Sequence, residues 1–501
     1  MKFIGREQEL YDLTELYEAK ESKLAVLYGR RRVGKSCLVN HFLQDKKHLR
    51  FEGLEKGRTQ TQLDRFVLAL SKQVDDELLT QVKLDSWEPI LNYLTKYFSE
   101  SKEKTILFLD EFQWLAANQS RLVSILKIYW DQHWSKQNVM LILCGSVCSY
   151  MTKRVISSKA LYGRINWELC LQSLNPMESY QLLNQKRNPD EVFRYLQILG
   201  GIPKYLKEVD PHKSFDQNIN KLLFTASGVL VNDYEKIFYS QFKEYRTYEN
   251  IVRFLKNQPR TLDEIALKLK IPSGGGVKVY LDNLEKAQFV TGYIPYNKNP
   301  NSKLKKYKLT DEYLRFYFKY VEPNIKLISA NRTRNLFGQL VKPVWNSWLG
   351  FSYENYCLKN AMYLAGIMGF EDHVLQWGPY FQRDEKGFQI DLIYLRDDRV
   401  VTLCEIKYYE EEVPITVVHE VEKKCALIDL PKGYTLEKVL ISRFGPERAL
   451  RDLDYFHHYV EVADFFEKPA RAPGSLKGKG SISDSFFEPI FKDPAKKRKK
   501  D

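Results

Sequence analysis

KLAVLYGRRRVGKSCLVNHFL, residues 23–43, is the stretch whose reading decides the fold. Leu24, Ala25, Val26 and Leu27 form a short apolar run, which suits an interior parallel strand. The next eight residues, Gly29-Arg30-Arg31-Arg32-Val33-Gly34-Lys35-Ser36, fit G-x-x-x-x-G-K-[ST] without a mismatch. After Cys37, the residues Leu38, Val39, Phe42 and Leu43 recur at helical spacing. Strand, glycine loop and helix in that order is the context a P-loop requires. The glycines let backbone N–H groups curl around a phosphate without Cβ clashes, and the helix N-terminus adds partial positive charge. Residues 29–37 are therefore expected to bind ATP, with Lys35 reaching the β- and γ-phosphates and Ser36 holding Mg²⁺.

Downstream, Thr105-Ile106-Leu107-Phe108-Leu109-Asp110-Glu111 is an apolar run ending in two carboxylates, the Walker B pattern. Asp110 is expected beside the P-loop as a second Mg²⁺ contact, and Glu111 as the base that orients and deprotonates the attacking water. VMLILCGS (139–146) reads as another buried strand. Ser146 at its end is either a γ-phosphate sensor or part of a small-residue turn. Arg164, after Gly163, is either a cation that stabilises phosphate charge or a structural arginine. Upstream, Phe3-Ile4-Gly5-Arg6-Glu7 leads into a helix with Leu10, Leu13 and Leu16 on one face and acidic residues in its first turns.

Past residue 176 the chain reads as helical, interrupted by Gly200-Gly201-Ile202-Pro203. Helical patterns at 248–257, 261–271 and 277–290 precede a two-strand pattern at 291–310, which predicts a winged helix-turn-helix. Thr261 and Glu264 form a capping box. Lys298, Lys303, Lys305 and Lys306 suit phosphate contact by the wing, although Asp282 and Glu285 temper the third helix. DNA binding and a packing role both fit such a module. Further on, Glu354 lies in an aromatic-rich helical pattern (351–366). FQIDLIYLR (388–396) and VVTLCEIKYY (400–409) read as strands joined by Asp397-Asp398-Arg399. Asp391, Glu405 and Lys407 are charged residues inside apolar strands. They fit a divalent-cation site, Mg²⁺ or Mn²⁺, or a buried ion pair holding the hairpin.

At 501 residues the chain is too long for one core. A net charge of +13 leans toward a polyanionic partner, with nucleic acid, acidic lipid and acidic protein all open on composition alone, and DNA and a protein surface the candidate partners. Seven cysteines without a C-x-x-C pair fit buried thiols of a reducing compartment. With no apolar stretch of membrane length, the expected setting is cytoplasmic, with no membrane partner. Residues 469–501, rich in Pro, Gly, Ser and Lys, are expected to form a disordered basic tail.

Taken together, FIGRE, GRRRVGKS, FLDEFQWL, LCGSVCSYM, LYGR and GGIPKYL resemble the archaeal-type ATPases of the STAND branch of AAA+ relatives. The resemblance implies that Gly5 and Arg6 lie by the adenine and that Pro203, in Gly201-Ile202-Pro203, closes a helical lid over the nucleotide. The C-terminal domain, beyond the winged helix, is similar to the PD-(D/E)xK nuclease superfamily. Glu354, Asp391, Glu405 and Lys407 stand at its motif positions, with Ile390 where a Pro is usual. The expected architecture is α/β. A parallel-sheet P-loop NTPase core spans 1–175, a helical lid 176–240, a winged helix 241–325 and an α/β nuclease-like domain 326–468. The expected function is an ATP-dependent switch in a DNA-related process. The alternatives are an ATP-gated metal-dependent nuclease and a protein-binding scaffold with an inactive nuclease fold.

Overall fold

The computed structural model describes residues 3–467 apart from 118–120, 147–149, 184–186, 243, 272–274, 297, 299–301, 303, 331–334 and 382–387. Cys148, Ser273, Gly274, Lys303 and the basic tail therefore lie outside the described residues. The chain divides into two compact units, Met1–Ser173 with Glu235–Arg246, and Leu174–Tyr234 with Thr247–Asp501.

The first unit is a five-stranded parallel sheet of β1 (Lys23–Gly29), β2 (His48–Glu52), β3 (Thr105–Asp110), β4 (Val139–Ser146) and β5 (Trp167–Leu171). The strand order is β2-β3-β4-β1-β5. β3 and β4 are buried along their whole length and β1 along nearly all of it, so they read as continuous apolar runs. β4 lies between β1 and β3, and Gly29 at the end of β1 is in register with Ser146. Because all strands run the same way, one sheet edge collects the P-loop, Asp110 and Ser146. That edge is where open α/β sheets bind ligands. Two helices complete the surroundings of the loop, α1 (Glu7–Glu18) and α2 (Lys35–Phe42).

The second unit begins with helices, Pro189–Leu199 and Phe215–Leu223 among them. Residues 174–234 fold with the C-terminal part of the chain for a visible reason. The Phe193 ring is buried against Tyr353, Tyr356 and Phe465, with centroids 5.1–5.6 Å away. Beside it, Arg443 grips Asp190 with two hydrogen bonds of 2.7 and 3.0 Å.

Where the winged module is expected, the chain forms helices Tyr245–Leu255, Leu262–Leu269 and Gly275–Lys286. With them goes a small antiparallel sheet of β6 (Arg260–Thr261), β7 (Val290–Tyr293) and β8 (Lys306–Leu309). Thr261 and Glu264 cap the second helix reciprocally. The C-terminal sheet comprises β9 (Val374–Phe381), β10 (Gln389–Arg396), β11 (Val400–Lys407), β12 (Thr435–Ser442) and β13 (His458–Glu461), in the order β13-β12-β11-β10-β9. β9, β10 and β11 pair antiparallel, and β11, β12 and β13 parallel. Ile390, Ile393, Leu403, Val421 and Leu440 form its core. The pattern at 351–366 is two helices, Trp345–Lys359 and Ala361–Ile367, which meet at Asn360.

Candidate functional site: the P-loop edge and the C-terminal carboxylates

The loop after β1 has the backbone its glycines imply. Gly34 lies at φ +98 and caps α2. At Gly29 a Cβ would come within 2.5 Å of the Leu171 carbonyl oxygen, so β5 packs against the loop too closely for any side chain. Lys35 is only 7% exposed. Its Nζ donates to the Gly29 and Arg30 carbonyls at 3.1 and 3.0 Å, and no carboxylate of the described residues pairs with it. A buried ammonium with carbonyl partners at a helix N-terminus fits a phosphate. Ser36 follows half-buried, Cys37 is exposed, and Val33 is fully buried. Arg31 lies over the Trp114 ring at 4.9 Å, and Arg32 takes a left-handed backbone, φ +73. Arg30 is buried.

Gly5 and Arg6 also have positive φ, and Arg6 ties the N-terminal segment to the loop. Its guanidinium donates to the carbonyls of Val33 at 3.2 Å and Gln172 at 2.7 Å, and it pairs with Glu9.

Asp110 ends β3 and is 2% exposed. It accepts from the Glu111 backbone N–H at 3.0 Å, and Arg50 stands 3.6 Å away. Glu111 has left-handed φ/ψ, +46 and +47, which is rare for a residue with a side chain and costs of order 1–3 kcal/mol. One residue that the motifs did not single out connects the two strands. Gln113 Nε2 donates to the Glu111 carboxylate and, at 3.2 Å, to Ser146 Oγ. Its Oε1 is buried without a hydrogen-bond partner among the described residues. A Cβ on Gly145 would meet that oxygen at 2.5 Å, so a glycine before Ser146 makes room for the link. The only sequence signals were a polar residue two places after the Walker B pair and a glycine in a buried strand.

Arg164 is placed otherwise than a phosphate contact requires. Its fork makes a bidentate pair with Asp131 at 2.6 and 2.7 Å. Arg164 holds Asp131 down to about 2, despite the opposing effect of burial. The guanidinium is thus already engaged within its own unit. Pro203 starts the short helix Pro203–Leu206 in the second unit. Before it, Gly201 accepts from Leu174 N–H at 2.8 Å, and a Cβ there would lie 2.0 Å from the Leu174 oxygen.

In the second unit the Leu392–Cys404 pair of the β10/β11 ladder sets Asp391 and Glu405 opposite each other one step further along. Glu354 is close enough for burial, then Asp391, to push it up to about 7. Burial first, and Glu405 besides, raises Asp391. The four motif residues thus come together, but not as a metal cage. Glu405, 1% exposed, is ion-paired with Lys407 at 3.0 Å and with Lys424 at 2.5 Å. Against burial, which would lower it, Glu405 and Glu420 hold Lys407 above its usual range. Among the described residues no group of three or more His, Cys, Asp or Glu side chains is arranged to hold a metal ion. Of the two readings open for Asp391, Glu405 and Lys407, the contacts among the described residues are those of the buried ion pair. Two lysines supply the positive charge that a cation would bring, so the arrangement is an ion-pair network. In the module upstream, Lys305 is paired with Glu285 at 3.0 Å.

Residues 3–209 match the family described as an ATPase domain predominantly from Archaea, and residues 317–423 a family of archaeal and bacterial proteins of unknown function. An uncharacterized protein of Methanocaldococcus jannaschii is 26% identical over 463 residues, covering 91% of this chain and 100% of that one. An uncharacterized ATP-binding protein of the same organism is 44% identical over 45 residues, covering 9% of this chain and 76% of that one. Among solved structures, the Walker-type ATPase of Pyrococcus abyssi is 20% identical with a TM-score of 0.46. It is matched over 95% of its length by 62% of this chain. The ORC2 protein of Aeropyrum pernix is 14% identical with a TM-score of 0.42, at 95% and 65% coverage. No helix among the described residues is long and apolar enough to cross a membrane.

Proposed function

We propose, for a chain whose residues 3–209 match the predominantly archaeal ATPase-domain family, that it is an ATP-binding switch that hydrolyses its nucleotide slowly. The observation that carries this reading is the buried Lys35 ammonium, without a carboxylate partner among the described residues and beside backbone that curls as a phosphate cradle. Lys35 holds the β- and γ-phosphates, and Ser36 and Asp110 hold Mg²⁺. The metal, when bound, neutralises charge on the phosphate oxygens. Glu111 takes the proton of the attacking water. Gln113, bonded to both Glu111 and Ser146, sets how the Glu111 carboxylate points when Ser146 finds a phosphate oxygen. A switch needs a long-lived ATP state, hence slow turnover. The second unit, with its basic wing, is the part that nucleotide state would act on, in a process involving DNA.

The test is ATP binding and turnover by the purified full chain. Lys35→Ala should abolish binding. Glu111→Gln should keep binding and lose roughly 10²-fold or more in turnover. Binding by the Lys35→Ala variant at parental affinity overturns the reading. A nuclease reading of the C-terminal domain is favoured by one observation, the Asp391–Glu405 juxtaposition across β10 and β11. Lys407 and Lys424 would have to release Glu405 first. Asp391→Ala should then stop Mg²⁺- or Mn²⁺-dependent DNA cutting, and DNA left whole by the parent protein would remove that reading.

A further inference from the structure

Within the second unit lies a cavity of about 650 Å³, in the range of small-molecule sites. One wall comes from Lys256 and Lys308, the latter on β8; Arg315 and Lys319 follow, and the helix Trp345–Lys359 closes the other side. Among the described residues, four cations and a single carboxylate, Glu354, line it. None of the four forms an ion pair with a carboxylate of the described residues. Among the described residues Arg315 donates to the Phe351 carbonyl and Ser352 Oγ, at 3.3 and 3.5 Å, and stacks over the Trp348 ring at 5.1 Å, where Lys319 joins it at 5.5 Å. Four cations outnumber the one lining carboxylate, and like charges repel one another, so the pocket favours an anion.

Two buried polar atoms in the lining say more about the ligand. Among the described residues, Trp348, 3% exposed, has no acceptor for its Nε1–H, and Asn355, 5% exposed, has no donor for its Oδ1. Buried polar atoms are normally satisfied, so each marks a place for a partner group. An indole N–H beside cations matches a phosphate oxygen, and an amide oxygen matches an amino or hydroxyl donor. Phe351 and Phe381, both exposed, offer ring faces at the same cavity.

We propose that this cavity binds a nucleotide, its phosphate held by Lys308, Arg315, Lys319 and the Trp348 N–H, its sugar or base donors reaching Asn355 and Glu354, and its base against Phe351 or Phe381. The site lies within the second unit and does not depend on the ATPase reading. The same chemistry is carried by a free nucleotide and by the phosphorylated end of a single strand.

The experiment is calorimetric titration of the full chain carrying Lys35→Ala, so that the P-loop is silent, with adenosine monophosphate, a 5′-phosphorylated thymidine decamer and inorganic phosphate. One of the first two should bind with Kd below about 1 mM. Which one binds distinguishes a free nucleotide from a strand end. Lys308→Gln and Lys319→Gln should each weaken binding roughly tenfold, the effect of losing a charged hydrogen bond. Trp348→Phe, which keeps the ring and removes only the N–H, should weaken it several-fold with an unchanged unfolding midpoint. Lys319 is exposed, so its variant reports even if Lys308→Gln folds poorly. The proposal fails if neither nucleotide probe binds, if inorganic phosphate binds as tightly as they do, or if Lys319→Gln leaves binding unchanged.

Discussion

Lys35 carries a charge that the fold buries and that no carboxylate of the described residues pairs. Its removal costs two hydrogen bonds to loop carbonyls but relieves a desolvated cation, and the two effects oppose each other. Lys35→Ala should therefore unfold within about 1 kcal/mol of the parent when no nucleotide is present. With ATP at a hundred times Kd, the parent should gain about 2.7 kcal/mol and the variant nothing. Urea unfolding with and without ATP checks this, and an equal ATP shift in both proteins would contradict it. Gln113 makes a different prediction. It touches Glu111 and Ser146 but no P-loop atom in the described contacts, so its loss should act on turnover. Gln113→Ala should lower kcat about tenfold or more and leave the ATP Kd within about threefold. A matched fall in affinity would make Gln113 a packing residue only. The residues of the P-loop, Asp110 and Glu111 were legible because each motif is contiguous. Gln113 and Arg50 were not, because their meaning comes from a neighbouring strand.

Two glycines test how tightly the elements of the second unit are fitted. Gly201 meets the Leu174 backbone so closely that a methyl group has no room, whereas Gly350, inside the helix Trp345–Lys359, faces open space. Gly201→Ala should cost about 1–3 kcal/mol or more, as overpacking against backbone does. Gly350→Ala should stabilise by about 0.5–1 kcal/mol through helix propensity. Denaturant midpoints of the two variants decide it, and equal shifts would show that the Leu174 contact is loose. Phe193→Ala should cost about 3–5 kcal/mol, since its ring is buried among five aromatic side chains of the described residues. At this scale β1, β3 and β4 were legible as apolar runs, and the Thr261–Glu264 cap as a spaced pair. β5 was not, because it pairs with one neighbour only and is half-buried, so its sequence carries neither a run nor an alternation. The break at Asn360 was hidden because apolar residues continue at helical spacing across it. The cavity was illegible for a related reason. Its cations stand at 256, 308, 315 and 319, and no local pattern links them.

At the scale of the whole chain, residues 3–209 match the predominantly archaeal ATPase-domain family, and the larger of the two units has its own sheet, apolar core and charged cavity. The net charge of +13 is spread over a chain in which many basic groups are already paired, as Lys305, Lys407 and Arg443 are. Charge alone therefore says less about a polyanionic partner than the unpaired cations do. Nucleotide binding in the first unit is the claim on which the rest of the functional reading depends. It is tested most directly by following γ-phosphate release from ATP and Mg²⁺ under single and multiple turnover, for the parent, Lys35→Ala and Glu111→Gln proteins. A switch predicts tight ATP retention by the parent and by Glu111→Gln, turnover below about 1 s⁻¹ in the parent, and neither retention nor release in Lys35→Ala. Rapid multiple turnover, or ATP retained by Lys35→Ala, would contradict it.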